Sequence, residues 1–426
     1  MLRLRFAVLT GRLAGRISRM LGRGGSAVPG LVAERIYPGL VEVLAGRIPH
    51  RVVITGTNGK TTTTKLLVET LEAAGHRVLT NRTGSNLSRG VATALIEAGV
   101  GRRRRAVDVA VFEVDEAAIR SLAPRLRPGV VVVTNLARDQ LDRYGELDTT
   151  AAHIRSALAH AGTAVLNADD PLVAGLAGTA TSDLYFGGAS GVREAMPDDR
   201  SLYSASGDGR IRPEPDLLVV AAAQQGDRQS IRLSGRAEIS VDFGLPGVYN
   251  AYNLAAAVLA AAVLGVPDEV AAAAAGRAVP AWGRGQVIEH RGRRVRVLLV
   301  KNPAGFNHAI RLLEGVPAGT AVLIAINDNV ADGRDVSWLW DARVEDLAGT
   351  GHRFTTSGTR ALDMAVRLKY AGVAAEWSDP ALDRSLGRLL DAVAPGETAY
   401  VVPTYTAMLD LLRLLLPGTT RTEAWR

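Results

Sequence analysis

The sequence predicts an α/β chain in which a parallel sheet is followed by a second, smaller α/β unit. Three observations lead there. After Gly30, strand-like apolar runs at 51–55, 77–80, 107–112, 130–134 and 163–166 alternate with helical patterns, the rhythm of a parallel sheet with helices on both faces. The first run ends in a glycine-rich turn that opens a helix. From Val287 a second alternation begins, with strands at 295–299, 321–326, 373–376 and 398–402 and helices at about 305–314, 359–371, 380–394 and 405–415. That series reads as a Rossmann-like domain. A length of 426 residues suits two or three domains, each with its own core.

The turn carries the strongest chemical signal. Val52-Val-Ile-Thr-Gly56-Thr57-Asn58-Gly59-Lys60-Thr61-Thr62 aims backbone N–H groups and a helix N-terminus at one point, as a triphosphate requires. The common phosphate-loop spacing would place a glycine at position 54; this chain has Ile54 and the shorter Gly56-x-x-Gly59-Lys60-Thr61. Its four lysines are Lys60, Lys65, Lys301 and Lys369, all other basic residues being arginine. A lysine kept in the loop supplies a compact point charge for phosphate.

The basic charge is uneven. Residues 1–30 hold Arg3, Arg5, Arg12, Arg16, Arg19 and Arg23 and no acid, while the remainder carries 44 basic and 43 acidic residues. No basic patch interleaved with aromatics follows, so no nucleic-acid partner is expected; Arg102–Arg105 reads as a helix end or a solvated loop. The N-terminal segment reads as an amphipathic helix, with Arg12, Arg16, Arg19 and Arg23 on one stripe and Leu9, Leu13, Ile17 and Met20 on the next. Packing on the domain body and contact with an anionic membrane surface both fit it. Arg12 and Arg16 interrupt any signal-peptide core, and no run approaches a membrane span. The absence of cysteine excludes disulfides, thiolate metal sites and a cysteine nucleophile, and fits a cytoplasmic protein.

Residues 187–242, rich in Gly, Asp, Ser and Pro, break the rhythm and read as an inserted or peripheral β element. An alanine-rich helix from Asn250 to about Ala275 and a hinge at Trp282-Gly-Arg-Gly-Gln286 close the first part. The domains expected are therefore a basic segment 1–30, a central domain 31–285 and a C-terminal domain 286–426.

Further polar groups fall at strand ends, where such sheets bind ligands. Glu113 ends an apolar strand, where its carboxylate would hold Mg²⁺ opposite the Thr61 hydroxyl or else simply face solvent. The stretch Thr134–Gly145 closes the next strand, and Asn167-Ala-Asp-Asp-Pro171, a helix cap or a site, the one after. Asn250 and Asn253 at a helix start suit an adenine edge, and capping alone also explains Asn250. The seven histidines show no metal-ligand spacing and read as structural or surface residues.

In order and spacing, Thr55-Gly-Thr-Asn-Gly-Lys-Thr-Thr, Glu113-Val, Thr134-Asn-Leu-x-x-Asp-x-Leu-Asp and Gly247-x-Tyr-Asn-x-Tyr-Asn-x-Ala-Ala resemble the Mur ligases, ATP-dependent enzymes that join an amine to a carboxylate through an acyl phosphate. Lys301-Asn-Pro-Ala-Gly-Phe-Asn, Ala331-Asp-Gly-Arg-Asp-Val-Ser-Trp-Leu-Trp-Asp341 and Pro403-Thr-Tyr-Thr-Ala-Met-Leu resemble the C-terminal domain of their MurT branch. The resemblance covers nearly the whole chain and implies a Mur-ligase-like central ATPase domain with a smaller Rossmann-like domain behind it. It implies ATP and Mg²⁺ as cofactors, with Lys60 and the Gly56–Gly59 backbone on the phosphates, Thr61 and Glu113 on the metal, Asn250 and Asn253 at the nucleotide, and Arg284 near ribose or phosphates.

The implied reaction phosphorylates the α-carboxylate of D-glutamate in the lipid II stem peptide, and ammonia converts it to D-isoglutamine. The implied partner is a GatD-like glutaminase subunit whose Cys–His pair borrows an aspartate from this chain. Asp335 is the choice, with Asp332, Asp341 and a plain loop-capping role as competitors; Trp338 and Trp340 fit packing at the subunit interface or in the core. The work would be cytoplasmic, or peripheral at the inner membrane face. Three departures stand out. Where MurT proteins often carry a four-cysteine zinc ribbon, roughly Ala195–Pro215 here has no cysteine, so no such zinc is expected, although Arg212-Pro-Glu-Pro-Asp216 persists. Gln140 stands where many Mur ligases have a histidine, and no lysine answers to their carbamylated one. Two other readings keep the motifs: a ligase for another acid, such as a cofactor precursor or a polyglutamate chain, and a nucleotide-binding regulatory subunit without catalysis.

Overall fold

A computed structural model describes residues 2–20, 27–81, 86–99, 107–137, 147–196, 212–225, 228–280 and 283–417. The motif residues Asp139, Gln140 and Asp142, the arginines Arg23 and Arg102–Arg105, most of the cysteine-free segment and Trp282 lie outside these.

Two sheets organise the chain. The first has nine strands: β1 (His50–Thr55), β2 (Val78–Thr80), β3 (Val109–Glu113), β4 (Val130–Val133), β5 (Thr163–Asn167), β6 (Ser182–Gly188), β7 (Leu217–Gln225), β8 (Arg228–Gly235) and β9 (Ile239–Phe243). Their spatial order is β2-β3-β1-β4-β5-β6-β7-β8-β9. Strands β2 to β7 run parallel, and β8 and β9 turn antiparallel. The segment read as an inserted or peripheral β element, 187–242, runs through β7 and β8 into β9: β7 pairs with β6, so these strands are the far edge of the same sheet. Strand β8 is half-buried, its accessibility alternating along Arg228–Gly235.

The inner strands are apolar throughout because both faces are covered. Successive side chains of β1 go to opposite faces: Val52 and Ile54 join a core with α4 (Lys60–Ala73), α10 (Val248–Val263) and α11 (Asp268–Arg277). Val53 joins a second core with α2 (Val28–Ile36), α3 (Leu40–Ala45), α5 (Ser88–Glu97), α6 (Ile119–Leu126) and α7 (Leu147–Leu158). Two short helices, α8 (Pro171–Ala174) and α9 (Ser190–Glu194), follow β5 and β6, and α1 (Leu2–Met20) lies outermost on α2.

The second sheet contains β10 (Arg284–His290), β11 (Arg293–Leu298), β12 (Ala321–Ala325), β13 (Arg353–Ser357), β14 (Ala375–Asp379) and β15 (Thr398–Pro403), in the order β10-β11-β15-β12-β13-β14. Helices α12 (Pro303–Glu314), α13 (Ala361–Tyr370), α14 (Leu382–Asp391) and α15 (Tyr405–Leu415) flank it. Two strands depart from expectation. The hinge read at 282–286 already contains the start of β10, antiparallel to β11. In β13, Thr355, Thr356 and Ser357 are buried polar residues, satisfied by bonds such as Thr356 Oγ1 to Ser378 Oγ at 2.7 Å and Ser357 Oγ to Asp379 O at 2.8 Å. Two 3₁₀ turns, Ser337–Trp340 and Val344–Leu347, lie between β12 and β13.

Candidate functional site

The site begins at the exit of β1. Gly56 (φ 121°) and Gly59 (φ 86°) occupy the positive-φ region, where a side chain is strained. A Cβ on Gly56 would collide with Thr134 Oγ1, and one on Gly59 with Asn253 Oδ1. The loop is pinned from β4: Thr57 N donates to Asn135 O at 2.8 Å, Asn58 N to Asn135 Oδ1 at 2.9 Å, and Thr134 Oγ1 to Asn58 O at 2.6 Å. The motif at 134–137 thus acts as the brace of the loop. Lys60, Thr61 and Thr62 open α4, all buried.

Lys60 Nζ donates to Glu116 Oε2 at 2.9 Å, to Thr57 O at 3.3 Å and, in a short contact, to Gly56 O. Burial by itself would lower the ammonium's pKa; Glu116, Asp115 and Glu113 outweigh it and hold the pKa above the usual lysine value. Sequence reading chose Glu113 alone. That residue is half-buried, its backbone N–H bonded to Asn81 Oδ1 at 3.0 Å and its carbonyl to Asn81 Nδ2 at 2.8 Å, so it comes to the loop's edge oriented by Asn81. Glu116, three residues on and 4% exposed, is the acid that meets Lys60. It was missed because it lies beyond the strand, in the turn before α6. The hard oxygen donors Thr61, Glu113 and Glu116 and the side-chain-free cradle fit a magnesium-bound polyphosphate.

Two further expected residues divide in role. Asn250 spends its amide internally, Nδ2 to Pro246 O at 2.7 Å and Oδ1 from Asn253 Nδ2 at 3.0 Å. Asn253 carries its Oδ1 to the loop, against Gly59 and 3.4 Å from Thr63 Oγ1, and lines the adjoining cavity. Arg284, at the start of β10, feels the charges of Glu113 and Tyr249; burial lowers its pKa and those two oppose the drop.

The cavity, about 580 Å³, lies at the carboxyl ends of β4, β5 and β6. Two stretches singled out in the sequence, Asn167–Pro171 and Arg212–Asp216, meet in its wall with Tyr252. Asp169 accepts from Arg212 Nε at 2.5 Å, Gly188 N at 2.6 Å and Tyr252 OH at 2.8 Å. The adjacent Asp170 caps α8, accepting from Leu172 N at 3.0 Å and Val173 N at 3.1 Å, so the Asn167–Pro171 motif contains both a cap and a site residue. From the second sheet's unit comes His308, whose ring meets Tyr249 at a tilt of 44° with centroids 4.7 Å apart and whose pKa burial lowers to about 4. That imidazole is neutral at pH 7.

Asp335 is not part of this cavity's lining; it is exposed on the loop before the first 3₁₀ turn, where its Oδ1 accepts from Ser337 N at 2.8 Å. Its competitor Asp332 is buried and clamps α15, accepting from Thr406 N at 2.7 Å and Thr406 Oγ1 at 2.5 Å. Asp341 is exposed. Trp338 packs edge-on to Phe306 in the core, whereas Trp340 is exposed beside Tyr370. No group of three or more His, Cys, Asp or Glu side chains with metal-site geometry occurs among the described residues.

Comparison with known proteins agrees with this geometry. The Mur ligase middle domain matches residues 54–261, and the MurT ligase C-terminal domain matches residues 299–408. Over 95% of this chain and 96% of the relative, the sequence is 31% identical to the lipid II isoglutaminyl synthase (glutamine-hydrolyzing) subunit MurT of Streptococcus pneumoniae. The chain belongs to the MurT family. A Staphylococcus aureus MurT subunit is 30% identical over 86% of this chain and 88% of its own length. In fold, this MurT-family chain superimposes on the MurF ligase of Thermotoga maritima, solved in complex with ADP, with a TM-score of 0.68 at 14% identity, covering 92% of this chain and 84% of that one. The architecture is that of the Mur ligases, and family membership agrees with the resemblance read from the motifs.

Proposed function

We propose that this chain is the ligase subunit of a lipid II isoglutaminyl synthase: it uses Mg·ATP to activate the α-carboxylate of D-glutamate in the lipid II stem peptide for amidation to D-isoglutamine. One observation carries the reading. Lys60 is buried in a glycine cradle and held by an acid, in a chain that matches MurT along nearly its whole length.

In this reaction a carboxylate oxygen attacks the γ-phosphorus, the bond to the β–γ bridging oxygen breaks, and ADP leaves with that electron pair. Ammonia adds to the acyl carbon, phosphate leaves, and the nitrogen loses a proton. Lys60 exchanges Glu116 for phosphate oxygens and stabilises the charge that develops on them. Backbone N–H groups of Gly59–Thr62 hold the phosphates, those of Thr57 and Asn58 being bonded to Asn135, while Asn253 and Arg284 orient the nucleotide and Asn250 fixes Asn253. When bound, Mg²⁺ neutralises phosphate charge; Thr61 and Glu113 are the residues that would hold it.

Ammonia comes from a GatD-like glutaminase, because this chain has no cysteine for that chemistry. Asp335 is the acid lent to the partner's histidine, since it is exposed and its carboxylate, bonded to Ser337, is held below the usual pKa and so stays ionised. Such a reaction belongs in the cytoplasm, at the membrane's inner face, where ATP and lipid II meet.

The test is phosphate release and product mass with ATP, glutamine and the partner glutaminase, comparing lipid II with a polyglutamate acceptor. Amidated lipid II is the expected product. Preference for polyglutamate would assign the chemistry to another acid, and no release with either acceptor, with ammonia supplied, would leave a nucleotide-binding subunit.

A further inference from the structure

The helix α1 has two faces of opposite character. Leu4, Ala7, Gly11, Gly15 and Ser18 turn inward and are buried, whereas Leu2, Phe6, Leu9, Leu13, Ile17 and Met20 are 49% to 86% exposed. At about 100° per residue, those six fall within an arc of roughly 80°, one continuous apolar stripe. A soluble helix buries such a stripe; here it faces solvent.

The helix has no freedom to turn it inward. A Cβ on Gly11 would come 2.7 Å from Pro29 O, and one on Gly15 2.7 Å from Pro29 Cγ, so α1 approaches α2 most closely at these two glycines. Arg12 donates to Ile96 O at 3.0 Å through Nε and at 2.6 Å through Nη2, and Arg3 Nε to Ile36 O at 3.0 Å. Close packing at one face and two arginine ties therefore fix the exposed stripe.

We infer that α1 lies in the plane of an anionic bilayer surface, with Leu2, Phe6, Leu9, Leu13, Ile17 and Met20 sunk among the acyl chains and Arg5 and Arg16 on lipid phosphates. Charge complementarity selects this occupant. The first acid in the chain is Glu34, and the exposed Arg5 and Arg16 lie side by side along one edge of the stripe. A hydrophobic stripe edged by arginine, on a helix without acids, is the pattern of an interfacial helix. No helix among the described residues is long and apolar enough to cross a membrane, so the attachment is in-plane. The geometry also suits a lipid-linked acceptor: Gly30 of α2 packs against Arg89 in the first turn of α5, and Asn86, just before α5, accepts from the N–H of Asp115 in the acidic cluster.

The experiment is sedimentation of the full chain with vesicles of phosphatidylcholine, with or without phosphatidylglycerol, lacking acceptor lipid and ATP. Strong binding to the anionic vesicles, weakened by salt, is expected. Leu9→Ser/Leu13→Ser/Ile17→Ser should reduce binding at least tenfold, and Arg5→Gln/Arg16→Gln about fivefold for each arginine at low salt, with melting temperatures unchanged. Should the serine variant misfold, the arginine pair carries the test. Equal binding to neutral and anionic vesicles, no binding, or binding indifferent to both variants would overturn the inference. So would a serine variant that abolishes self-association or glutaminase capture while wild-type protein ignores vesicles. Because no turnover is measured, failure here leaves the ligase proposal standing, and the reverse holds.

Discussion

Asn58 and Asn302 exchange side-chain amide bonds, Asn302 Nδ2 to Asn58 Oδ1 at 3.2 Å and Asn58 Nδ2 to Asn302 Oδ1 at 3.4 Å. The first residue belongs to the glycine loop, the second caps α12 by accepting from Gly305 N at 2.8 Å. This pair of bonds ties the glycine loop to the unit built on the second sheet.

Replacing Asn302 with alanine removes both bonds and should cost about 1 kcal/mol from the cap alone. Asn58→Ala keeps the cap. A double-mutant cycle by denaturant unfolding should give a coupling of roughly 0.5–1.5 kcal/mol between the two; additivity would mean that the contact carries no energy.

Lys60→Ala should reduce ATP-dependent phosphate release by at least ~10²-fold, the scale of losing one electrostatic donor to the transferring phosphoryl group. Circular dichroism should show a folded protein. Near-normal release would remove Lys60 from the proposed chemistry.

Gly59→Ala forces a side chain into a left-handed conformation, costing about 1–2 kcal/mol, and drives it onto Asn253. Calorimetry should register lower stability and at least tenfold weaker nucleotide binding. Gly75, also at positive φ but with open space around it, is the control: Gly75→Ala should cost stability without touching nucleotide affinity.

His308 makes stability depend on pH. Its folded imidazole, held near pKa 4 by burial, stays neutral where an unfolded one, at its ordinary 6.5, binds a proton. The unfolded chain therefore takes up more protons as pH falls from about 7 toward 4, and stability declines over that window by roughly 1–2 kcal/mol between pH 7 and 5. Urea unfolding of His308→Gln should lack this component; an unchanged slope would contradict the assignment.

Asp335→Asn should abolish glutamine-dependent amidation while sparing activity with ammonium chloride, because the residue is exposed and is not part of the cavity lining. Asp332→Asn weakens two bonds to Thr406 at the start of α15 and should lower melting temperature instead. Equal loss of both activities in the Asp335 variant would place that carboxylate in the ligase reaction.

What the sequence alone determined is what local chemistry encodes. The apolar runs of β1, β3, β4 and β5 are buried on both faces and read directly, and the glycine turn is legible because positive φ and a side-chain-free cradle demand glycine at two fixed positions. Polar strands such as β13 were not legible, since Thr355 and Thr356 tell of burial only once Ser378 and the neighbouring strands surround them. The tertiary structure alone decided which carboxylate meets Lys60, that Asn253 and not Asn250 reaches the loop, and that Asp169, Arg212, Tyr252 and His308 converge on one cavity. Those residues are far apart along the chain, and a charge or an amide acquires its role from the partners that folding places within three ångströms of it, which no spacing in the sequence records.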